Sequence, residues 1–277
     1  MKGVVLQKNA DKFKVDMDGD IRFIGARNLK KEGIFVGDKV EVENEVISKV
    51  LERKNLLIRP PLANVDTLII VVAPVPKPDF LLVDKLIIFS VVKGIKPVLC
   101  VNKTDLDGMF LKEVKRIYKG VVQVEGVSSL DESVMKIKKH IKGITALAGQ
   151  SAVGKSSIIN ALLKENVAVV GEFSKKVERG KQTTRIVELY EIEKGRFLAD
   201  TAGFSKLSEE YLEIDEGELK SYYPDFLKYA EKCRYKSCRH TGGDCGVLKA
   251  VEEGKINIMR YENYKIILAN LKNAKKF

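Results

Sequence analysis

The order of two short motifs constrains this chain more than any other feature. Residues 149–156 read Gly-Gln-Ser-Ala-Val-Gly-Lys-Ser, a full G-x-x-x-x-G-K-S phosphate loop. Residues 102–105 read Asn-Lys-Thr-Asp, the pattern that reads guanine. In an ordinary GTPase the guanine reader follows the phosphate loop; here it comes first. A fold that carries both must hold the usual sheet with the chain entering it at a different strand. The order implies a circularly permuted GTPase domain.

The rest of the chain fits around that domain. Residues 1–58 hold short apolar segments at 4–6, 13–15, 21–24 and 40–46, punctuated by Asp18-Gly19-Asp20 and Val36-Gly37-Asp38. Several short strands without a helix suggest a small barrel of the OB or SH3-like kind. Arg59-Pro60-Pro61 then reads as a stiff linker. From residue 64 the pattern alternates. Strands are expected at 67–73, 96–101, 121–124, 144–148, 185–190 and 196–199, and helices at 80–92, 110–118, 130–141 and 156–163. The continuous apolar run at 67–73 suits a parallel strand covered on both faces. Repeated alternation implies a doubly wound α/β sheet. After about residue 215 the pattern is helical, and it ends in a basic stretch with Lys265, Lys272, Lys275 and Lys276 around Ile266, Ile267 and Leu271. The expected organisation is an all-β OB-like barrel at 1–60, a permuted P-loop GTPase domain at 61–214, and a helical zinc-binding domain at 215–277.

Composition narrows the partners. The 277 residues are 45% hydrophobic, enough for a real core. No apolar run is long enough to span a bilayer, and the start lacks a signal peptide's apolar segment. A cytoplasmic monomer is expected. The net charge of +11 favours a polyanion, either nucleic acid or an anionic surface. A well-solvated, Lys-rich surface would give the same number.

Each motif implies a chemistry. In the phosphate loop, Gly149, Gln150, Ser151, Ala152, Val153 and Gly154 wrap the phosphates with backbone N–H groups, and the following helix adds its positive end. Lys155 reaches the β- and γ-phosphates, Ser156 ligates Mg²⁺, and Ser157 follows in the same helical turn. In the guanine reader, Asp105 accepts from the N1 and N2 groups of guanine, Asn102 braces the loop, and the Lys103 stem packs on the base with Thr104 beside it. A capped turn would explain Asn-Lys-Thr-Asp alone, but not its pairing with a phosphate loop. Ser128 and Ser129 stand where GTPases place a backbone contact to guanine O6; Ser129 and Glu132 also fit a capping box. Asp200-Thr201-Ala202-Gly203 ends an apolar strand, which suits Asp200 to the Mg²⁺ shell and the Gly203 N–H to the γ-phosphate. Gly180-Lys181-Gln182-Thr183-Thr184 suits a first switch, with either Thr183 or Thr184 completing the Mg²⁺ shell. Phe204 stands where many GTPases have Gln to orient the attacking water. That role falls to Gln182, a backbone group or a partner, and slow intrinsic turnover is expected.

Cys233, Cys238, His240 and Cys245 supply three thiolates and an imidazole, a closed tetrahedral set for one structural Zn²⁺. Cys100 reads as a buried core thiol. His140, at the end of a Lys-rich helix, reads as solvated.

These motifs together resemble the bacterial ribosome small-subunit-dependent GTPase A family, also called YjeQ or EngC. The likeness rests on the N-terminal barrel, Arg-Pro-Pro-Leu-Ala-Asn-Val-Asp at 59–66, the two nucleotide motifs, Asp-Thr-Ala-Gly-Phe at 200–204, and the Cys-Cys-His-Cys cluster. The resemblance implies an OB barrel, a permuted GTPase domain and a zinc-containing helical domain. It also implies a late maturation factor that binds the small ribosomal subunit and its RNA, uses GTP and Mg²⁺, and is stimulated by the subunit. Two positions depart from the family pattern: Gln182 stands where His is usual, and Ala202 where Pro is common. The alternatives are an RNA-binding assembly protein with GTP as a ligand only, and a P-loop kinase or ATPase.

Overall fold

Inward apolar and outward polar residues alternate through the N-terminal segment and close it into a barrel. The structure, a computed structural model, describes residues 1–9, 11–26, 33–163, 187–200 and 207–274. Strands β1 (Lys2–Asn9), β2 (Lys12–Met17), β3 (Asp20–Ala26), β4 (Lys39–Glu43) and β5 (Val46–Val50) form a closed barrel in the order β1-β2-β3-β5-β4, with β4 pairing back to β1. That is OB-fold order. Val5, Phe13, Val15, Ile24, Val40 and Ile47 fill the interior. The single strand expected at 40–46 is two strands, because Asn44 and Glu45 both take positive φ, 50° and 62°, and turn the chain back.

Arg59-Pro60-Pro61 is not a free linker. β6 (Leu56–Ile58) and β7 (Pro61–Ala63) pair as a hairpin across it, and Leu57 and Leu62 are buried beneath. The buried Asn64 side chain donates to Gly37 O at 2.9 Å and accepts from Lys54 N–H at 2.9 Å, which ties this hairpin to the barrel.

The central sheet has six strands in the order β10-β9-β8-β11-β13-β12. They are β8 (Val65–Val72), β9 (Lys96–Val101), β10 (Gln123–Gly126), β11 (Ile144–Ala148), β12 (Leu189–Glu193) and β13 (Arg196–Asp200). All neighbours are parallel except the β12–β13 hairpin. Helices α1 (Phe80–Val92) and α2 (Gly108–Ile117) pack on one face. A 3-10 helix (Glu132–His140) and α3 (Lys155–Leu163) pack on the other. The chain leaves β8 toward β9 and returns on the opposite side at β11. The boundary between β8 and β11 is therefore the sheet's topological switch point, where α/β sheets bind ligands.

The segment expected as a helix at 130–141 forms the 3-10 helix instead, capped by Asp131, whose carboxylate accepts from Ser133 N–H at 2.7 Å. The Ser129–Glu132 capping box is thus replaced by this one-residue cap. His140 is not solvated: it is 6% exposed, and its Nε2 lies 3.2 Å from Glu125 Oε1. Ile137 and Ile141 anchor that helix in the core, and their spacing carries His140 inward with them.

The C-terminal unit holds α4 (Pro224–Ala230), α5 (Gly246–Glu252) and α6 (Ile258–Ala274). Its Phe226, Tyr264 and Ile267 share one apolar cluster with α1 residues Leu86 and Ile87. In α1 every residue from 82 to 90 except Lys85 is buried, as expected of a helix covered on both sides. Among the described residues, no helix is long and apolar enough to cross a membrane.

Candidate functional site

Four loops meet at the carboxyl ends of β8, β9, β10 and β11, and Asn102 joins three of them. β11 is buried at every position and delivers the chain to Gly149. Gly149 has φ +128°, and a Cβ there would sit 2.2 Å from Val71 O in β8. Gly154 has φ +96°, and a Cβ there would sit 2.3 Å from Asn102 Nδ2. Both glycines are required by close backbone approach as well as by φ. Asn102 is fully buried. Its Nδ2 donates to Val153 O at 2.9 Å in the phosphate loop, and its Oδ1 accepts from Ser129 N–H at 3.1 Å in the loop after β10. Asn102 thus bonds to the loops after both β10 and β11.

Lys103 extends the same network. It adopts φ 59°, and its Nζ donates to Val75 O at 2.9 Å and to Ala152 O at 2.8 Å. Thr104 N–H donates to Val127 O at 3.2 Å, and Asp105 follows it, exposed at the loop tip. Ser128 is buried; its N–H donates to Ser133 Oγ at 2.7 Å and its Oγ accepts from Leu130 N–H at 3.1 Å. Guanine reader and phosphate loop, 51 residues apart at the Asn102–Val153 bond, thus form one surface.

Within the phosphate loop Lys155 Nζ donates to Gly149 O at 2.9 Å and Gln150 O at 2.6 Å, so the ammonium lies inside the loop's curve. Ser151 and Ala152 are exposed on that loop, Val153 is buried beneath it, and Ser156 and Ser157 are half-buried on the first turn of α3. Asp200 ends β13 with its backbone paired beside Leu147, two residues before the loop begins. Gln182, Thr183, Thr184, Ala202, Gly203 and Phe204 lie outside the described residues.

The second constellation lies in the C-terminal unit. The ligand atoms of Cys233, Cys238, His240 and Cys245 all lie within 4.8 Å of one another. Cys233 Sγ is 3.8 Å from Cys245 Sγ, and His240 Nδ1 is 3.5 Å from each of those sulfurs. A tetrahedral zinc with ordinary bond lengths puts its sulfurs about 3.8 Å apart, and sulfur and nitrogen about 3.6 Å apart. Cys233, His240 and Cys245 therefore already stand near three corners of that tetrahedron, with Cys238 close by. Burial pushes the His240 imidazole down to about 4, so it is neutral with a free lone pair. Burial alone would raise the Cys233 thiol, but the N–H groups of Val247 and Gly246 at the start of α5, together with the Cys245 and Cys238 side chains, hold it below its ordinary value. His240 takes φ 57°, and its carbonyl accepts from Tyr261 OH at 2.8 Å while Arg239 O accepts from Tyr264 OH at 3.0 Å, so α6 fixes the loop from behind.

Two features had no signal in the sequence. The Gln150 side chain binds the loop before α1: Oε1 accepts from Asp79 N–H at 2.9 Å, and Nε2 donates to Lys77 O at 3.2 Å. Arg260 of α6, 1% exposed, binds Asp84 of α1 through Nη1 and Asp225 of α4 through Nη2 at 2.9 Å. Asn263 Nδ2 adds a second donor to Asp84 at 2.8 Å. Burial holds the Asp84 carboxyl above its ordinary value despite the opposing pull of Arg260 and Asn263; the guanidinium, against its own burial, is held above its ordinary value by both carboxylates. A guanidinium does not give up its proton in a protein, so Arg260 stays charged.

The permuted strand order, the phosphate loop at the switch point and the guanine-reading loop bonded to it define a circularly permuted P-loop GTPase. The RsgA GTPase family matches residues 50–210, more than half of the chain. The small ribosomal subunit biogenesis GTPase RsgA of Ruminiclostridium cellulolyticum is 41% identical over 238 residues, covering 83% of this chain and 77% of the relative. That of Carboxydothermus hydrogenoformans is 36% identical over 288 residues, 98% of each chain. Among solved structures, YjeQ from Thermotoga maritima superposes with a TM-score of 0.78 at 30% identity over 98% of each chain. YloQ, described as a circularly permuted GTPase, superposes with a TM-score of 0.76 at 27% identity over 99% of this chain and 95% of its own. The chain belongs to the RsgA GTPase family. It is a GTP-hydrolysing enzyme, and membership carries GTP, GDP and Mg²⁺ as its ligands.

Proposed function

We propose that the chain hydrolyses GTP under the control of the small ribosomal subunit and serves that subunit's late maturation. The observation that supports this reading is the Asn102 junction, which bonds together two loops whose motifs stand in permuted order. The relatives' names supply the ribosomal setting.

In this reading the backbone N–H groups of 149–154 and the α3 N-terminus hold the phosphates. Lys155 would exchange its two carbonyl partners for β- and γ-phosphate oxygens, and Ser156 and Asp200 would hold Mg²⁺. Asp105 reads the guanine N1 and N2 groups, with Lys103, Thr104, Ser128 and Ser129 shaping the base site. Thr183 or Thr184, Gln182 and Gly203 remain proposals from the sequence. Bound Mg²⁺ would neutralise charge developing on the phosphates. Zinc at Cys233, Cys238, His240 and Cys245 would be structural, since no ligand position is left for chemistry. The barrel at 1–60 and the basic C-terminal end of the unit at 215–277 would meet ribosomal RNA, flanking the GTPase domain at 61–214. Subunit binding is expected to be tighter with a non-hydrolysable GTP analogue than with GDP. Co-sedimentation with purified small subunits tests this; equal binding in both nucleotide states would remove the coupling.

A further inference from the structure

Asp84 and Arg260 form the most deeply buried ion pair among the described residues, and the nucleotide chemistry above uses neither. Their position gives them a role. Asp84 lies in α1, and α1 is held at two places. At its start, the Asp79 carboxylate caps the helix by accepting from Leu82 N–H at 2.9 Å, while the Asp79 N–H is donated to Gln150 Oε1 at 2.9 Å. Gln150 is the second residue of the phosphate loop. With Nε2 on Lys77 O, its amide is satisfied at both ends by the backbone of one short loop, so a small displacement of the phosphate loop is felt at the first turn of α1.

Along its outer side α1 is held by the C-terminal unit. Asp84 binds Arg260 and Asn263 of α6. Lys85 lies 2.8 Å from Glu209 and donates to Leu207 O at 3.3 Å; Glu209 accepts from Asn270 of α6 at 2.6 Å. Arg260 carries the contact on to Asp225 of α4, and its guanidinium lies over the Tyr223 and Tyr118 rings at 4.6 and 5.4 Å. Close-packed interiors shift as bodies rather than deform. A helix buried on nearly all sides and bonded through a buried ion pair must move with α6 or not at all.

We propose that α1 is a strut coupling the phosphate loop to the metal-bearing C-terminal unit, with Gln150 the positioning residue at one end and Arg260 the clamp at the other. This rests on the reading of 149–156 as the nucleotide site. Phosphate binding rearranges the loop carbonyls that Lys155 now holds, and Gln150 passes that change to Asp79. By linkage, whatever holds the C-terminal unit in one position changes nucleotide affinity by the same factor.

Hydrogen exchange of the full chain tests the strut. It is measured without nucleotide, with GDP and with a non-hydrolysable GTP analogue, each at saturation confirmed by fluorescence titration. In the unmodified chain, bound nucleotide slows exchange in α6 (Ile258–Ala274) and in 233–245 by at least about fivefold, the low end of ordinary allosteric coupling. In Gln150→Ala, at saturation, that ratio falls to near one. From the other end, Asp84→Leu combined with Arg260→Met keeps the site apolar and alters the affinity ratio of GTP analogue to GDP by the same factor. Protection of α6 that is absent in the unmodified chain with nucleotide bound, or undiminished in Gln150→Ala, overturns the proposal. Failure of the unmodified chain to bind guanine nucleotide would strike the nucleotide-site reading instead, and the titration shows which has failed.

Discussion

Arg260→Met offers a sharp test of how the C-terminal unit is held. Arg260 is 1% exposed and Asp84 is fully buried, so the substitution strips a buried carboxylate of its cationic partner. Removing one member of a buried pair costs about 3–5 kcal/mol. At roughly 2–4 °C per kcal/mol for a chain of this size, the midpoint should fall by roughly 6–20 °C. Thermal unfolding followed by circular dichroism, at fixed zinc and nucleotide, measures it. The control is Asp84→Leu combined with Arg260→Met. It removes both charges, and Asp225, with a side chain 15% exposed, reaches water. The double variant should recover most of the loss, because replacing a buried pair with apolar side chains is often neutral. A single variant losing under about 1 kcal/mol, the value of a surface pair, would refute the reasoning, as would a double variant no better than the single.

Lys155→Ala should abolish tight triphosphate binding in a folded protein; near-normal affinity by fluorescence titration would sink the phosphate-loop role. Asp105→Asn should weaken GTP and favour xanthosine triphosphate, losing about 1–3 kcal/mol at the guanine contact; unchanged GTP affinity would leave Asp105 a cap only. Elemental analysis should find one zinc per chain, and chelation should destabilise 215–277 more than the sheet; metal-free protein of full stability would contradict the donor geometry. Burial, against the pull of Glu125, holds the His140 ring below its ordinary 6.5, so the folded form keeps it neutral. Its contribution is full above 6.5 and is lost as pH falls toward the folded value. His140→Gln should therefore flatten the acid side of the stability curve; an unchanged slope would place His140 outside the titration.

The α1 and β9 bounds, the phosphate-loop strand and the clustering of Cys233, Cys238, His240 and Cys245 were legible because each rests on local pattern. Apolar runs set strands, glycine spacing sets the loop, and Cys and His in one short stretch have few other uses. What escaped was set by tertiary contact. His140 is carried inward by the packing of Ile137 and Ile141, which a Lys-rich stretch conceals. The 3-10 helix is capped by Asp131 through the Ser133 N–H, while Ser133 Oγ ties back to Ser128 N–H, a pairing that the Ser129–Glu132 spacing does not reveal. Gln150 falls at one of the motif's unspecified positions, so the pattern assigns its side chain no task. Arg260 and Asp84 lie 176 residues apart, and nothing local distinguishes either from a surface charge.

The proposed function requires that the small ribosomal subunit govern the turnover of this GTPase. GTP hydrolysis by the purified chain, with and without purified small subunits, tests it most directly. With Phe204 at the position where glutamine commonly orients water, turnover alone should be slow, and added subunits should raise it well above that rate. Identical rates with and without subunits would contradict the account.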